Sequence, residues 1–379
     1  MTDSSNSARW GPTPWTIDFV PERTQLPAHV DIAVIGGGFS GLSAAANSKR
    51  FAPTRSVAVF EAESIGARSS GHTGGLALAE TAVGDLPGLG DVLGGLSAIL
   101  RDLQVDCDLD LPGVFELDRT TKNPASPILW HDAGDLRVGK EVPGGSINPG
   151  KMVSGLARAS ANLGVLIFDH CRVDRVDFTD PLTLHVKGST VTADKILFAT
   201  NSESLELTQL AARAQSKLTM ALATAPLPEE KLAAIGVANG KPSYTTDLPY
   251  LWGRLLHKNR IIFGSGLVDV SNWRDLTAID VHSGKALELL DKLENRVRRL
   301  HPALFDVQIT HRWGGPILIT EDWRPVFEVH PKSANAVVLG GYSGHGVALS
   351  VYLGSWAAEH LLGRRPLPNW SSGPSDNDE

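Results

Sequence analysis

Gly36, Gly38 and Gly41 stand in a G-x-G-x-x-G spacing where an apolar run, Val30 to Ile35, passes into the small-residue segment FSGLSAAANSKRF. Side chains given up at such a junction make room for a ligand. The first glycine allows a tight turn, the second lets a pyrophosphate approach the backbone, and the third lets the next helix lie close on the strand. That helix, opening at Phe39, Ser40 and Gly41, offers unpaired N–H groups and its positive dipole end to the anion. Glu61 closes a second apolar run, SVAVF, where a carboxylate accepts the ribose hydroxyl protons of a dinucleotide. A mere packing turn with a surface glutamate would not require strand, glycines, helix, strand and acid in this order.

The following loop, ARSSGHTGGLALAE, extends the pattern beyond Ala62. Arg68, Ser69, Ser70, Gly71, His72, Thr73, Gly75 and Leu76 combine small, flexible and polar residues, which suits a backbone wrapped around a planar polar ligand. Late in the chain, LGGYSGHGVALS places Gly341, Tyr342, Gly344, His345 and Gly346 before an apolar helix that opens at Val347. Its N-terminus faces whatever occupies that turn.

These residues need a doubly covered parallel sheet to position them, and the chain is long enough to build one. Its 379 residues, 42% of them apolar, suffice for two to three domains of core. A formal net charge of -7, with no basic stripe, excludes nucleic acid as the expected partner. Cys107 and Cys171 are the only cysteines, too few for a disulfide framework or a zinc knuckle, and no metal-type His/Cys cluster is present. No export pattern heads the chain, and the apolar stretch from Val337 to Leu362 is interrupted by His345, Ser350 and Glu359. The expectation is a reduced cytoplasmic protein without a membrane span. Residues 1–27 and 367–379 are polar and expected to be extended or flexible.

The chain resembles the flavin-dependent amine and amino acid oxidases, the D-amino acid oxidase-like (DAO) family, and most of all the gamma-glutamylputrescine oxidase, glycine oxidase and sarcosine oxidase group. The segment SSGHTGG is similar to that group's A-S-G-R-N-G-G loop. INPGKMVSGLARASANLGV is similar to its proline-led helix. CRVDRVDF and VTADKILFATN are similar to the segments that meet the adenine side, at Val173, and that end beside the cofactor, at Ala199, Thr200 and Asn201. RWGGPILITEDWRPVF, with Trp313, matches its W-x-G and T-x-D-x-x-P pattern, and LGGYSGHGVALS its turn under the flavin.

The resemblance implies FAD in the glycine cradle and an α/β fold: a Rossmann-like FAD-binding domain interleaved with an α+β substrate domain that contains an antiparallel sheet. Residues 28–80, 145–214 and 309–366 are assigned to the first, and 81–144 and 215–308 to the second. A helix N-terminus at the late turn suits the anionic reduced ring. His72 replaces the group's arginine. Two readings stay open there: a neutral imidazole beside a non-covalent flavin, or a covalent link, as at the matching place in dimethylglycine and sarcosine dehydrogenases.

In the substrate domain, PYLWGRLLHKNRIIFGSG reads as a hairpin turning at His257 to Arg260. Period two puts Tyr250, Trp252 and Arg254 on one face. They are candidates for an aromatic substrate wall and a carboxylate partner, or else cover an outer face with Arg254 solvated. ALELLDKLENRVRRL reads as an amphipathic packing helix. With no second nucleotide fingerprint and no C-x-x-C relay, electrons pass from a small-molecule substrate through flavin to oxygen or another acceptor. The implied reaction oxidises the carbon–nitrogen bond of an amine or amino acid to an imine by hydride transfer, and the imine is then hydrolysed. His345, with His72, is a candidate to tune the flavin or accept a proton. A flavin-dependent 2-hydroxy acid dehydrogenase and a non-turnover flavin-binding subunit are the alternatives.

Overall fold

Two sheets divide the work of the chain. The computed structural model describes residues 9–371. In the first sheet His29–Ile35 is central, with Val57–Phe60 on one side and Ser189–Phe198 on the other, both parallel to it. Leu166–Phe168 and Ser333–Gly340 extend the parallel set, and Val326–His330 adds an antiparallel edge. Alternation in the central strand decides what lies on each face. Ile32 and Val34 pack under the helices Phe39–Phe51, Pro149–Asn162 and Gly346–Leu361. Ala33 and Ile35 pack against the strands Val173–Asp177 and Leu182–Val186. Burial on both sides is why these strands read as continuous apolar runs.

The second sheet runs Ile309–Thr320, Ala214–Thr224, Arg260–Asp269, Trp252–Leu256, Ser243–Thr245, Val114–Asp118, Asp135–Val142 and Trp130–His131. It is antiparallel except where Ser243–Thr245 runs parallel to Val114–Asp118. The hairpin turns through His257–Asn259, with Lys258 and Asn259 in the left-handed region. The helix Gly284–Leu300 buries Ala286, Leu290, Leu293, Val297 and Leu300 on one face against this sheet. Ile309–Thr320, grouped by sequence with the nucleotide-binding pieces, instead pairs along its length with Ala214–Thr224.

The N-terminal arm differs from the loose head expected of its composition. Trp10 is fully buried and its indole N–H donates to the Leu276 carbonyl at 3.0 Å. Two large aromatic side chains, Trp10 and Trp15, hold down an otherwise polar stretch. At the other end Leu367 and Trp370 pack on the core. Residues 1–8 and 372–379, for which flexibility is expected, lie outside the described residues. Among the described residues no helix is long and apolar enough to cross a membrane.

Candidate functional site

The site is built at the carboxyl ends of Ile35, Phe60 and Phe198. Gly36 has φ +112°, and a Cβ there would stand 2.5 Å from the Ala199 carbonyl oxygen. A Cβ at Gly41 would collide with the Gly36 carbonyl, and one at Gly38 would stand 2.7 Å from Ser70 Oγ. The turn therefore tolerates only glycine where helix and strand approach most closely.

Side chains from separate segments then fix the surrounding wall. Ser70 Oγ accepts the Phe39 N–H at 2.9 Å, and Ser40 Oγ lies 2.6 Å from the Tyr342 hydroxyl. Glu61 accepts the N–H groups of Gly37 at 2.7 Å and Glu63 at 2.9 Å; burial raises its pKa against these two bonds. Asn201 joins three segments at once. Its Nδ2 donates to Ser69 Oγ at 3.2 Å, and its Oδ1 accepts the Gly341 N–H at 3.0 Å.

One cavity brings together part of the expected set: Gly36, Gly38, Glu61, Ala62, Arg68, Ser69, Ser70, Val173, Ala199, Thr200 and Asn201; the late turn, Gly341 to Val347, is not in its lining. Thr200 Oγ1 is buried in this wall without a partner, as is Arg68 Nη1. Orphaned polar atoms beside a turn restricted to glycine fit a polar, phosphate-bearing ligand such as the pyrophosphate and ribose of FAD.

Arg172, Glu203 and Ser204 also line the cavity; Arg172 lies in the CRVDRVDF segment, where only its neighbour Val173 was expected, and no motif covers the other two. Arg68 pairs with Glu63 at 2.5 Å and with Glu203 at 2.9 Å. Burial pushes the Glu203 carboxyl up to about 7, with Arg68 opposing and Glu61 and Glu63 adding to the rise.

His72 lies outside that cavity's lining. Its Nδ1–H donates to the Arg68 carbonyl at 3.1 Å, and its ring meets Trp10 edge-on at 5.7 Å. Burial lowers its pKa to about 4, so it is neutral across the physiological range. The rest of the loop is held from behind. Trp15 donates to the Gly71 carbonyl at 2.7 Å, Trp313 to that of His72 at 3.1 Å, and the Ile147 N–H to that of Gly75 at 2.9 Å. Leu76–Leu78 pairs with Gly144–Ser146, and Thr73 Oγ1 accepts the Gly75 N–H at 3.4 Å.

Arg254 and Trp313 have different partners from those expected. Arg254 is buried, neither solvated nor open to a carboxylate: its Nε donates to the Gly74 carbonyl at 2.5 Å and its Nη2 to Ile147 at 2.8 Å. Burial lowers its pKa to about 9. Trp313 has no exposed surface and acts on the loop through its indole N–H. Tyr250 turns its hydroxyl to Thr219 at 2.8 Å and the Gly266 carbonyl at 3.0 Å, while the Trp252 ring covers Gly74 and Gly264.

At the late turn, Gly341 and Gly344 have φ +63° and +93°, and His345 occupies the N-cap of Gly346–Leu361, with Val347 buried in its first turn. Burial lowers the His345 pKa, against a backbone hydrogen bond at Ser343 and the Glu80 charge, which raise it. Glu80 also receives Tyr244, whose hydroxyl lies 3.2 Å from both Glu80 and Glu116. Sequence reading missed this group because the parallel register of Tyr244 opposite Glu116 creates it.

A glycine turn at the carboxyl edge of a parallel sheet, beside a largely antiparallel second sheet, is the arrangement of a nucleotide-binding α/β protein. The model of the DAO family, FAD dependent oxidoreductases, matches residues 31–360, and the chain belongs to that family. It is 27% identical to the gamma-glutamylputrescine oxidoreductase of Escherichia coli, covering 88% of this chain and 84% of that protein. It is 26% identical to the probable oxidoreductase OrdL of Haemophilus influenzae, covering 90% and 85%. In fold it is similar to glycine oxidase from Geobacillus kaustophilus, with TM-score 0.70, 17% identity and coverage of 90% and 96%. L-proline dehydrogenase from P. horikoshii gives TM-score 0.72 and 16% identity over 91% and 97%.

Proposed function

We propose that this FAD-dependent oxidoreductase oxidises a carbon–nitrogen bond in a small amine or amino acid. Hydride leaves the α-carbon of the neutral amine, FAD supplies the acceptor, and water hydrolyses the resulting imine. The names of the relatives, a gamma-glutamylputrescine oxidoreductase, a glycine oxidase and an L-proline dehydrogenase, support a nitrogen-bearing substrate.

The observation that carries the reading is the Glu80, Tyr244 and Glu116 group, whose Glu80 charge acts on His345. One phenol hydrogen serves two carboxylates, and among the described residues Lys140 balances Glu116 while no ion pair includes Glu80. Negative charge here attracts an ammonium group, which an amine or amino acid carries and a 2-hydroxy acid lacks. Neutral His345 is placed to take a proton as the amine is released from its ammonium form. Trp252 and the Gly74 backbone beneath it exclude water from that side of the loop. For the cofactor itself, Gly36, Gly38 and Gly41 hold the pyrophosphate, Glu61 the ribose, and Val173 the adenine side. His72, with Nδ1 bonded to Arg68 and its ring against Trp10, supports a flavin held without a covalent bond.

The test starts with the visible spectrum of the purified protein and with acid precipitation. Yellow colour released to the supernatant is expected. Anaerobic addition of amines should bleach the flavin and release ammonia or an amine. Bleaching by 2-hydroxy acids alone, with only a keto acid formed, would overturn the amine reading, and a colourless protein that FAD cannot reconstitute would overturn both.

A further inference from the structure

We propose that the N-terminal arm, residues 9–20, is part of the FAD site, with Trp10 and Trp15 as positioning residues for the Arg68–His72 segment. This rests on the cofactor reading above. Trp10 is buried between two residues of that segment: the Arg68 guanidinium lies 4.7 Å from its ring centroid and the His72 ring 5.7 Å away. Trp15 donates to Gly71 between them, and Ile17 packs against Gly66 and Gly71.

The arm is anchored independently of the segment it holds. The Trp10 carbonyl accepts the Gly314 N–H at 2.8 Å, the Arg9 carbonyl accepts that of Val281 at 2.9 Å, and the Asp18 N–H donates to Ser154 Oγ at 2.8 Å. It thus crosses from the second sheet to the helix Pro149–Asn162. The segment it fastens carries Ser70, which holds the Phe39 N–H at the mouth of the glycine turn, and Ser69, which bonds Asn201. Fixing the arm therefore fixes the cradle. Ordering the cradle before the ligand arrives lowers the conformational cost of binding.

The decisive measurement is the dissociation constant for FAD, alongside the melting temperature of the apoprotein. Trp15→Phe keeps an aromatic side chain but removes the indole donor to Gly71 together with part of its bulk, so the dissociation constant should rise about fivefold. Trp10→Leu, which removes both ring contacts, should raise it about tenfold or more. Trp130→Phe is the control: it removes a comparable buried indole bond, to Ile235 at 2.9 Å in the second sheet, and should lower the melting temperature without changing FAD affinity. Indole fluorescence quenched on FAD addition should also diminish in the two arm variants. If both arm variants lose melting temperature as Trp130→Phe does and bind FAD like the wild type, the arm is only a structural clip and the proposal fails. Failure of the cofactor reading would show separately, as a wild-type protein that binds no FAD.

Discussion

Arg254 Nε and the Gly74 carbonyl oxygen lie 2.5 Å apart, joining a strand of the second sheet to the glycine-rich loop of the first domain. Its Nη2 reaches the Ile147 carbonyl from the same buried position. Arg254→Met leaves two buried carbonyls without donors and should destabilise the protein by about 2–4 kcal/mol. Arg254→Lys should recover only part of this, because one ammonium cannot reproduce the fork. Chemical denaturation of the three proteins checks the order; equal stabilities would show the fork to be dispensable.

Glycine substitutions test the cradle without adding charge. Gly41→Ala forces a methyl into the Gly36 carbonyl, and Gly36→Ala forces one to 2.5 Å from Ala199 at φ +112°. Both should abolish flavin retention on purification. Gly188→Ala, at φ +77° with nothing near its Cβ position, should retain flavin despite its local strain.

Amine recognition predicts a split in kinetic constants. Glu80→Gln and Tyr244→Phe should each raise KM for a productive amine about tenfold, with a smaller change in kcat. Steady-state kinetics would show this, and unchanged KM values would remove the acidic group from substrate binding.

His345→Ala should slow flavin reduction about tenfold or more, within the usual range for loss of a proton-accepting group. Stopped-flow mixing under anaerobic conditions reads the step directly. A reduction rate equal to that of the wild type would take His345 out of the mechanism.

Glu203 gives a pH signature. Its carboxyl is raised from 4.5 to about 7 in the folded protein, so the protonated form favours folding. That contribution is complete below the unfolded value and is lost as pH rises through about 7. Glu203→Gln should therefore flatten the fall of melting temperature between about pH 4.5 and 7. Calorimetry across that window is the check, and an unaltered slope would assign the fall to other groups.

The glycine turn was legible because much of its constraint is local: Gly38 and Gly41 meet atoms of their own strand–turn–helix unit and the neighbouring loop, whereas Gly36 meets Ala199 from a distant segment. Strand periodicity put Tyr250, Trp252 and Arg254 on one face; the strand begins at Trp252, so Tyr250 precedes it, and periodicity does not name what these side chains touch. The Arg254 partners, Gly74 and Ile147, arrive from distant segments. Tyr244 and Glu116 become neighbours only through pairing of two short strands. In the arm, polar and proline-rich composition outweighed the available signal, Trp10 and Trp15 followed by Ile17 and Phe19.

The bond from the Gly314 N–H to the Trp10 carbonyl joins segments that lie far apart in the sequence. Trp10 cannot dock until Ile309–Thr320 has been made. The glycine turn and its first helix can form early from local contacts, whereas the arm locks over the Arg68–His72 segment only once that strand is in place. Cofactor capture is thereby tied to the making of Ile309–Thr320, and a nascent chain halted before Gly314 would present a nucleotide cradle with no fastening.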